Sequence, residues 1–351
     1  MSSSIQRDPA IRELKKRART SGVPLFGAFE LTSNCNFDCK MCYIHNGDNQ
    51  QYNDLSFDSL KKIFDAAYEK GMMFALLTGG ECLLRKDFRE IYSYLHNKGV
   101  ILSINTNASL MSNELVDFLL LNRPERIQIS LYGTSNDAYE RVTGRKAFDR
   151  VDHSICMLLD AGLPVEIAVT PSIYMYDDFA NILEYIKARK LPYDVSPLLI
   201  TPRDDTCNTA ELSVEQRIEI LKIKRKVSGK TIAPPRDTAP MPGCHDDCAD
   251  PVLGMPCNAG TIRFVIDSNG FMIPCMSIPE IRINALENDF DTCWQYIRSM
   301  MKKAVPPSEC ENCFYKSSCV YCPVHRYDGL FSGRCNKEIC KFNQLKYKAG
   351  L

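Results

Sequence analysis

From residue 26 onward, apolar positions follow two alternating patterns. Dense runs at 26–31, 73–78, 100–105, 126–130 and 165–169, with a brief one at 194–197, read as strands buried on both faces. Between them, 56–70, 88–98, 113–121, 148–161 and 179–189 carry apolar residues at helical spacing. Ser56 stands where a helix N-cap is expected. Six buried strands separated by amphipathic helices predict an α/β fold built on a parallel barrel, partial or complete.

On either side the pattern changes. Residues 8–19 are rich in basic side chains around Ile11 and Leu14, which predicts a helix with a solvated face. Residues 201–243 open with Thr201-Pro202-Arg203-Asp204-Asp205, hold one helical stretch at 213–227 and end proline-rich at 233–243. That segment reads as a bridge that covers the barrel mouth or links the barrel to the C-terminal region. Beyond Cys244 the regular features are a hairpin, with strands at 261–266 and 271–273 around Asp267-Ser268-Asn269-Gly270, and a helix at 294–302. No internal repeat or low-complexity segment is visible. The expected organisation is a helical lead-in at 1–23, a barrel at 24–200, a bridge at 201–243 and a Cys-rich domain at 244–351.

Composition narrows the function. Lys+Arg and Asp+Glu are balanced at 43 each among 351 residues, so no broad surface for nucleic acid or anionic membrane is expected. Hydrophobic residues at 45% suffice for an ordinary core. No stretch reaches the roughly 18 apolar residues of a membrane span, and the N-terminus lacks the apolar region of a signal peptide. A soluble, cytoplasmic protein is expected. Seventeen cysteines are then too many for chance packing, and eleven of them lie in the last 108 residues. Without an export signal, metal binding accounts for them better than disulfides do.

The chemistry concentrates at Cys35-Asn36-Phe37-Asp38-Cys39-Lys40-Met41-Cys42-Tyr43, a Cys-x3-Cys-x2-Cys stretch after the first strand. Three thiolates in this spacing can hold three corners of a cubane iron–sulfur cluster and leave the fourth iron open to a ligand. The bland alternative is a zinc knot of Cys35, Cys39, Cys42 and His45. At the end of the second strand stands Gly79-Gly80-Glu81, where glycines allow close backbone approach and a carboxylate can receive an ammonium.

Together these motifs resemble the radical S-adenosylmethionine (SAM) superfamily, with Cys82 in place of the family's proline. The resemblance implies a partial (β/α)6 barrel with its chemistry at the strand ends. It also implies that Cys35, Cys39 and Cys42 hold a 4Fe-4S cluster whose open iron chelates SAM, and that one electron then frees a 5′-deoxyadenosyl radical. By the same resemblance Gly79, Gly80 and Glu81 receive the SAM amino group and Met41 packs on adenine. Asn105, Ser130 and Thr170, which close the third, fourth and fifth strands, would present polar groups to the rest of SAM, and Arg141 lies in a segment resembling a recurring family one. Turn capping is the plain alternative for the polar residues, and a surface ion pair for Arg141.

The C-terminal cysteines resemble the SPASM domain, an auxiliary iron–sulfur module. Cys257 is followed by Gly270-x4-Cys275, and Cys310-x2-Cys313-x5-Cys319 matches the next block. Cys322 comes after two residues where the family has three, and Cys340 suits the last ligand, with Cys335 as its rival. The resemblance implies one cluster on Cys310, Cys313, Cys319 and Cys340. A second would lie on Cys257, Cys275 and Cys322, with Cys244, Cys248, Cys335 or an open iron in the fourth place. Three clusters are thus expected in all, and two zinc ribbons are the alternative. Cys156, Cys207 and Cys293 read as packing residues, and Cys82 beside the SAM site is a candidate reactive thiol. Five histidines without partner spacing give no hydrolytic triad.

The implied activity is reductive cleavage of SAM and hydrogen-atom abstraction by a peptide-modifying oxidoreductase. The expected substrate is a ribosomally made peptide, to be crosslinked through thioether or carbon–carbon bonds, epimerised or oxidised. Formylglycine-type oxidation of a protein side chain, radical chemistry on a small molecule, and a non-catalytic iron–sulfur or zinc scaffold are the alternatives. An external electron donor such as flavodoxin or ferredoxin is expected. Fewer than 30 residues precede the barrel in this chain, so a leader peptide would be bound by a separate protein or by the barrel itself.

Overall fold

The computed structural model describes residues 8–44, 54–200, 210–229, 257–315, 319 and 322–351. It begins with α1 (Pro9–Ser21), capped by the Asp8 carboxylate and by a left-handed Gly22. Strands and helices then alternate: β1 (Phe26–Glu30), α2 (Phe57–Glu69), β2 (Phe74–Thr78), α3 (Phe88–Asn97), β3 (Ile101–Thr106), α4 (Asn113–Leu121) and β4 (Arg126–Ser130). Next come α5 (Asn136–Thr143), α6 (Phe148–Asp160), β5 (Val165–Val169), α7 (Phe179–Ala188) and β6 (Tyr193–Val195). The chain continues through α8 (Val214–Val227) to β7 (Arg263–Ile266), β8 (Phe271–Ile273), β9 (Ile283–Asn284), α9 (Phe290–Met301) and α10 (Lys337–Lys348).

The six expected strands lie close to their expected bounds, and Ser56 caps α2 by accepting from the Ser59 N–H. Two of these helices lie where the sequence pattern predicts none. α5 is short and polar, and it buries Tyr139 and Val142 behind a Ser135 cap. α10 lies in the Cys-rich region and buries Ile339 and Phe342.

All nine strands form one sheet in the order β6-β5-β4-β3-β2-β1-β7-β8-β9. β1 to β6 pair in parallel and in chain order. β7 joins the free edge of β1, also in parallel, with Phe26 opposite Arg263. β8 and β9 then return antiparallel. The C-terminal hairpin therefore continues the barrel sheet.

The two faces of the sheet do different work. Phe29, Leu77, Ile104, Ile127 and Ile167 on one face pack with the helices in the main core. Each such side chain contributes roughly 1.5–3 kcal/mol by its removal from water. Alternate positions face inward, where Ala28, Val265 and Ile273 cluster with Leu76 and Met276. The N-terminal end is plugged by Leu25, Phe26, Phe74 and Ile262 under α1, with the Phe26 and Phe74 rings stacked at 4.7 Å. Trp294 of α9 donates from its indole N–H to the Gly22 carbonyl at 2.7 Å, tying the C-terminal region to this plug.

Inside the barrel a charge pair is buried. Arg126 reaches Glu166 at 3.1 Å, with side-chain exposures of 13% and 4%, and Gln128 donates to the same carboxylate at 3.0 Å. Removing only the cation strands a buried anion. Arg126→Met should therefore destabilise the protein by about 3 kcal/mol, read as a fall in the thermal midpoint. Adding Glu166→Leu should restore most of the loss, and a single variant as stable as wild type would refute this account.

Candidate active site

The loop after β1 crosses the C-terminal ends of the strands and carries all three cysteines of the first motif. It is held close to the end of β2. The Gly80 N–H donates to the Thr32 carbonyl at 2.8 Å, and the Glu81 N–H donates to the Asn34 carbonyl at 2.9 Å. Nothing larger than glycine fits here: a Cβ on Gly79 would lie 2.2 Å from the Thr32 oxygen, at a φ of +132°. A Cβ on Gly80 would lie 2.3 Å from the Asn34 oxygen. The glycines thus admit the cysteine loop itself, where the sequence alone suggests room for a ligand.

Further anchors fix the middle of the loop. The Asp38 and Lys40 N–H groups donate to the carbonyls of Thr143 and Val142 at 2.9 and 3.0 Å. Asn36 donates to Ser109 at 2.8 Å and accepts from Asn107 at 2.9 Å. Arg85, paired with Asp87, donates to the carbonyls of Leu31 and Leu55 at 2.8 and 2.9 Å.

Cys35, Cys39 and Cys42 face one another. Burial pushes the Cys35 thiol up to about 12, and Glu81 and Cys42 add to the effect. Burial also raises Cys39 well above the ordinary thiol range, followed by Cys42 and Cys35. Thiols raised in this way ionise only where cationic metal compensates them. Among the described residues no three His, Cys, Asp or Glu side chains converge on a single metal ion. The donor set suits a group wider than one atom, as an iron–sulfur cluster is. His45 lies outside the described residues.

Beside the thiols opens a cavity of about 360 Å³. Asn105, Ser130 and Thr170 project into it from the ends of β3, β4 and β5, and Met41, Gly79 and Gly80 line it too. The side-chain oxygen of Asn105 is buried in this wall without a hydrogen-bond partner. An unpaired buried acceptor facing a cavity fits a ligand that brings a donor, as the amino or ribose hydroxyl groups of SAM would. Tyr132, which nothing in the sequence singles out, places its hydroxyl between Ser130 and Cys39, and burial raises its pKa well above the usual range.

Two of the expected residues do not line this cavity. Glu81 is fully buried, and its carboxylate accepts from Thr106 Oγ1 and the Asn107 N–H, both at 2.7 Å, and from the Leu83 N–H at 3.1 Å. It staples the end of β2 to the end of β3, and burial raises its pKa. Arg141 sits on the exposed side of α5, whose Val142 and Thr143 carbonyls, one and two residues on, hold the cysteine loop. Cys82 is buried and donates to the Asn105 carbonyl at 3.4 Å, with its pKa raised by burial, so it is a protonated packing group.

The C-terminal thiols form two neighbourhoods. Cys257 and Cys275 flank the buried Arg263 guanidinium, and Cys275 also acts on Cys322. Cys335, expected as the rival of Cys340, stands hydrogen-bonded against Cys310, with Cys340 and Cys319 nearby. Burial and these neighbours push its thiol up to about 12. Cys319 accepts from Asn343 at 3.2 Å, and Cys313 is half-buried just past Cys310. Cys293 is buried in α9 and Cys156 half-buried in α6, while Cys207, Cys244 and Cys248 lie outside the described residues. The described residues contain no helix long and apolar enough to cross a membrane.

A loop of three thiols over a glycine-lined strand end, at the mouth of a parallel sheet, defines an enzyme that works with an iron–sulfur cluster. Residues 29–186 match the Radical SAM superfamily, and the protein is an enzyme that carries a radical SAM domain. That domain implies a 4Fe-4S cluster and SAM. The chain is 26% identical over 325 residues to the AdoMet-dependent heme synthase of Methanosarcina barkeri, across 88% of this chain and 93% of that protein. It is also 26% identical over 335 residues to the antilisterial bacteriocin subtilosin biosynthesis protein AlbA of Bacillus subtilis, across 91% and 71%. In fold it is similar to Streptococcus suis SuiB bound to precursor peptide SuiA, with a TM-score of 0.69 at 15% identity, covering 95% of this chain and 79% of that one.

Gly79→Ala should prevent the loop from seating and lower bound iron by the roughly four atoms of one cubane, measured by iron analysis after reconstitution. Arg141→Ala should leave SAM affinity unchanged. A Gly79→Ala protein with full iron would show that the loop tolerates the displacement.

Proposed function

We propose that the enzyme abstracts a hydrogen atom from a residue of a peptide or protein, with a ribosomally made precursor as the favoured substrate, which it crosslinks, epimerises or oxidises. The observation that carries this reading is the shared cavity. Its wall runs from the SAM-cluster loop through the strand ends to Met276, the residue after Cys275 in the hairpin. A substrate there lies between the SAM site and an auxiliary thiol site.

Cys35, Cys39 and Cys42 would hold the first cluster, and the bound cluster and SAM together supply a 5′-deoxyadenosyl radical. Asn105, Ser130 and Thr170 orient the cofactor's polar groups. Met41, Tyr132, Leu199 and Met276 exclude water from the reacting centre. Cys257, Cys275 and Cys322 would bind an inner auxiliary cluster and Cys310, Cys313, Cys319 and Cys340 an outer one, with Cys335 as the rival of Cys340 for its last corner. The sequence boundaries of barrel, bridge and Cys-rich domain are part of this reading, as are an external flavodoxin or ferredoxin, a separate leader-binding protein and a cytoplasmic location.

Support for a peptide substrate comes from AlbA, which serves subtilosin biosynthesis, and from SuiB, which binds a precursor peptide. A second reading, chemistry on a small molecule of the heme type, is favoured by the even coverage of the heme synthase match. Against it, the described cavity wall carries no charged side chain to receive the carboxylates of a porphyrin.

Reconstituted protein, reduced and anaerobic, should convert SAM to 5′-deoxyadenosine, and the triple change of Cys35, Cys39 and Cys42 to Ala should abolish this. Candidate precursor peptides should gain a mass change, whereas turnover of carboxylated tetrapyrroles alone would establish the second reading. Iron should approach about twelve atoms per chain if three cubanes form. Cys340→Ala should lose iron and Cys335→Ala should be milder, and the reverse order would make Cys335 the ligand.

A further inference from the structure

We propose that Tyr43 is a positioning residue that locks the SAM-cluster loop to the auxiliary hairpin through a hydroxyl held between Glu30 and Met276. This rests on the reading that Cys35, Cys39 and Cys42 hold the cluster.

The Tyr43 hydroxyl donates to Glu30 Oε1 at 3.0 Å and lies 3.4 Å from the Met276 sulfur. Glu30 ends β1 and is 2% exposed. Its inward-facing carboxylate therefore meets the ring from the barrel side. Tyr43 directly follows Cys42, and Met276 directly follows Cys275. One side chain thus spans from the third cluster thiol to the first residue past an auxiliary thiol, and both Tyr43 and Met276 line the cavity.

The anchors of the loop explain why this contact matters. Its start is tied to Gly80 and Glu81, its middle to Val142, Thr143, Ser109 and Asn107. All of those partners belong to the barrel half. Cys42 itself is bonded through its backbone to Cys39, within the loop. Tyr43 supplies a tie on the Cys42 side that reaches both β1 and the hairpin. The position of the third thiol is consequently set in part by a residue 233 positions beyond Tyr43 along the chain. A hydrogen bond to a carboxylate contributes more than one to a neutral group, so the tie is strong enough to govern the loop.

The test uses the full-length reconstituted holoenzyme, with SAM itself as the probe and the electron paramagnetic resonance spectrum of the reduced cluster as the readout. Tyr43→Phe removes one oxygen and should keep wild-type iron content and melting temperature. Its spectral response to SAM should broaden, and its SAM dissociation constant should rise about fivefold. Met276→Leu, on the other element, should alter the same spectrum in the same direction. The double variant should be no worse than Tyr43→Phe alone, as expected for residues in one contact. Glu30→Gln keeps an acceptor oxygen but loses the charge and should fall between wild type and Tyr43→Phe, whereas Glu30→Ala should behave like Tyr43→Phe. Wild-type SAM affinity and spectrum in Tyr43→Phe, or additive effects of Tyr43→Phe and Met276→Leu, would overturn the proposal. A wild-type spectrum indifferent to SAM would overturn the reading beneath it as well.

Discussion

The structure depends on the contact between two backbones, that of the cysteine loop at Thr32–Asn34 and that of Gly79–Gly80 at the end of β2. Two N–H···O bonds of 2.8 and 2.9 Å define it, and side chains are excluded from it by distances near 2.2 Å. Everything that makes the site chemical is referred to this contact. It sets where three thiols sit relative to the strand ends, and so where a ligand on the open iron would meet Asn105, Ser130 and Thr170. Glu81 reinforces it from behind by using its carboxylate to join β2 to β3. A buried carboxylate with three short donors is costly to ionise in isolation and stable once satisfied. That explains a fully buried acid one residue from an open cavity.

The fold was largely legible in the sequence because parallel strands buried on both faces announce themselves as dense apolar runs. The helix spacing between them left little choice of architecture. The first three cysteines and the glycine pair were legible for another reason: their chemistry requires particular residues at short separation. What stayed hidden was orientation. Nothing in the order of Gly79-Gly80-Glu81 distinguishes a carboxylate facing SAM from one turned into the sheet, because that depends on Thr106 and Asn107, 25 and 26 residues away. Arg141 illustrates the same limit, since the neighbouring carbonyls of Val142 and Thr143, which hold the cysteine loop, carry no signal in the sequence. Tyr43 and Tyr132 were invisible because a tyrosine near a cysteine carries no signal until its hydroxyl is located.

The C-terminal region was the least legible. α10, which carries Cys340, has only the short stripe of Ile339, Phe342 and Leu345 among polar residues, too little to announce a helix beside so many cysteines. Cysteine spacing alone ranks Cys340 over Cys335, whereas the folded chain sets Cys335 against Cys310. The backbone accounts for this: Cys335 is bridged to Tyr327, a pairing of two short segments without sequence pattern.

The parallel pairing of β7 with β1 has a further consequence. The strand that launches the SAM-cluster loop and the strand pair that carries Cys275 are consecutive members of one sheet. Their separation is therefore quantised by interstrand spacing, about 4.8 Å per step, and does not depend on how two bodies happen to dock. The sheet acts as a ruler between the two thiol sites.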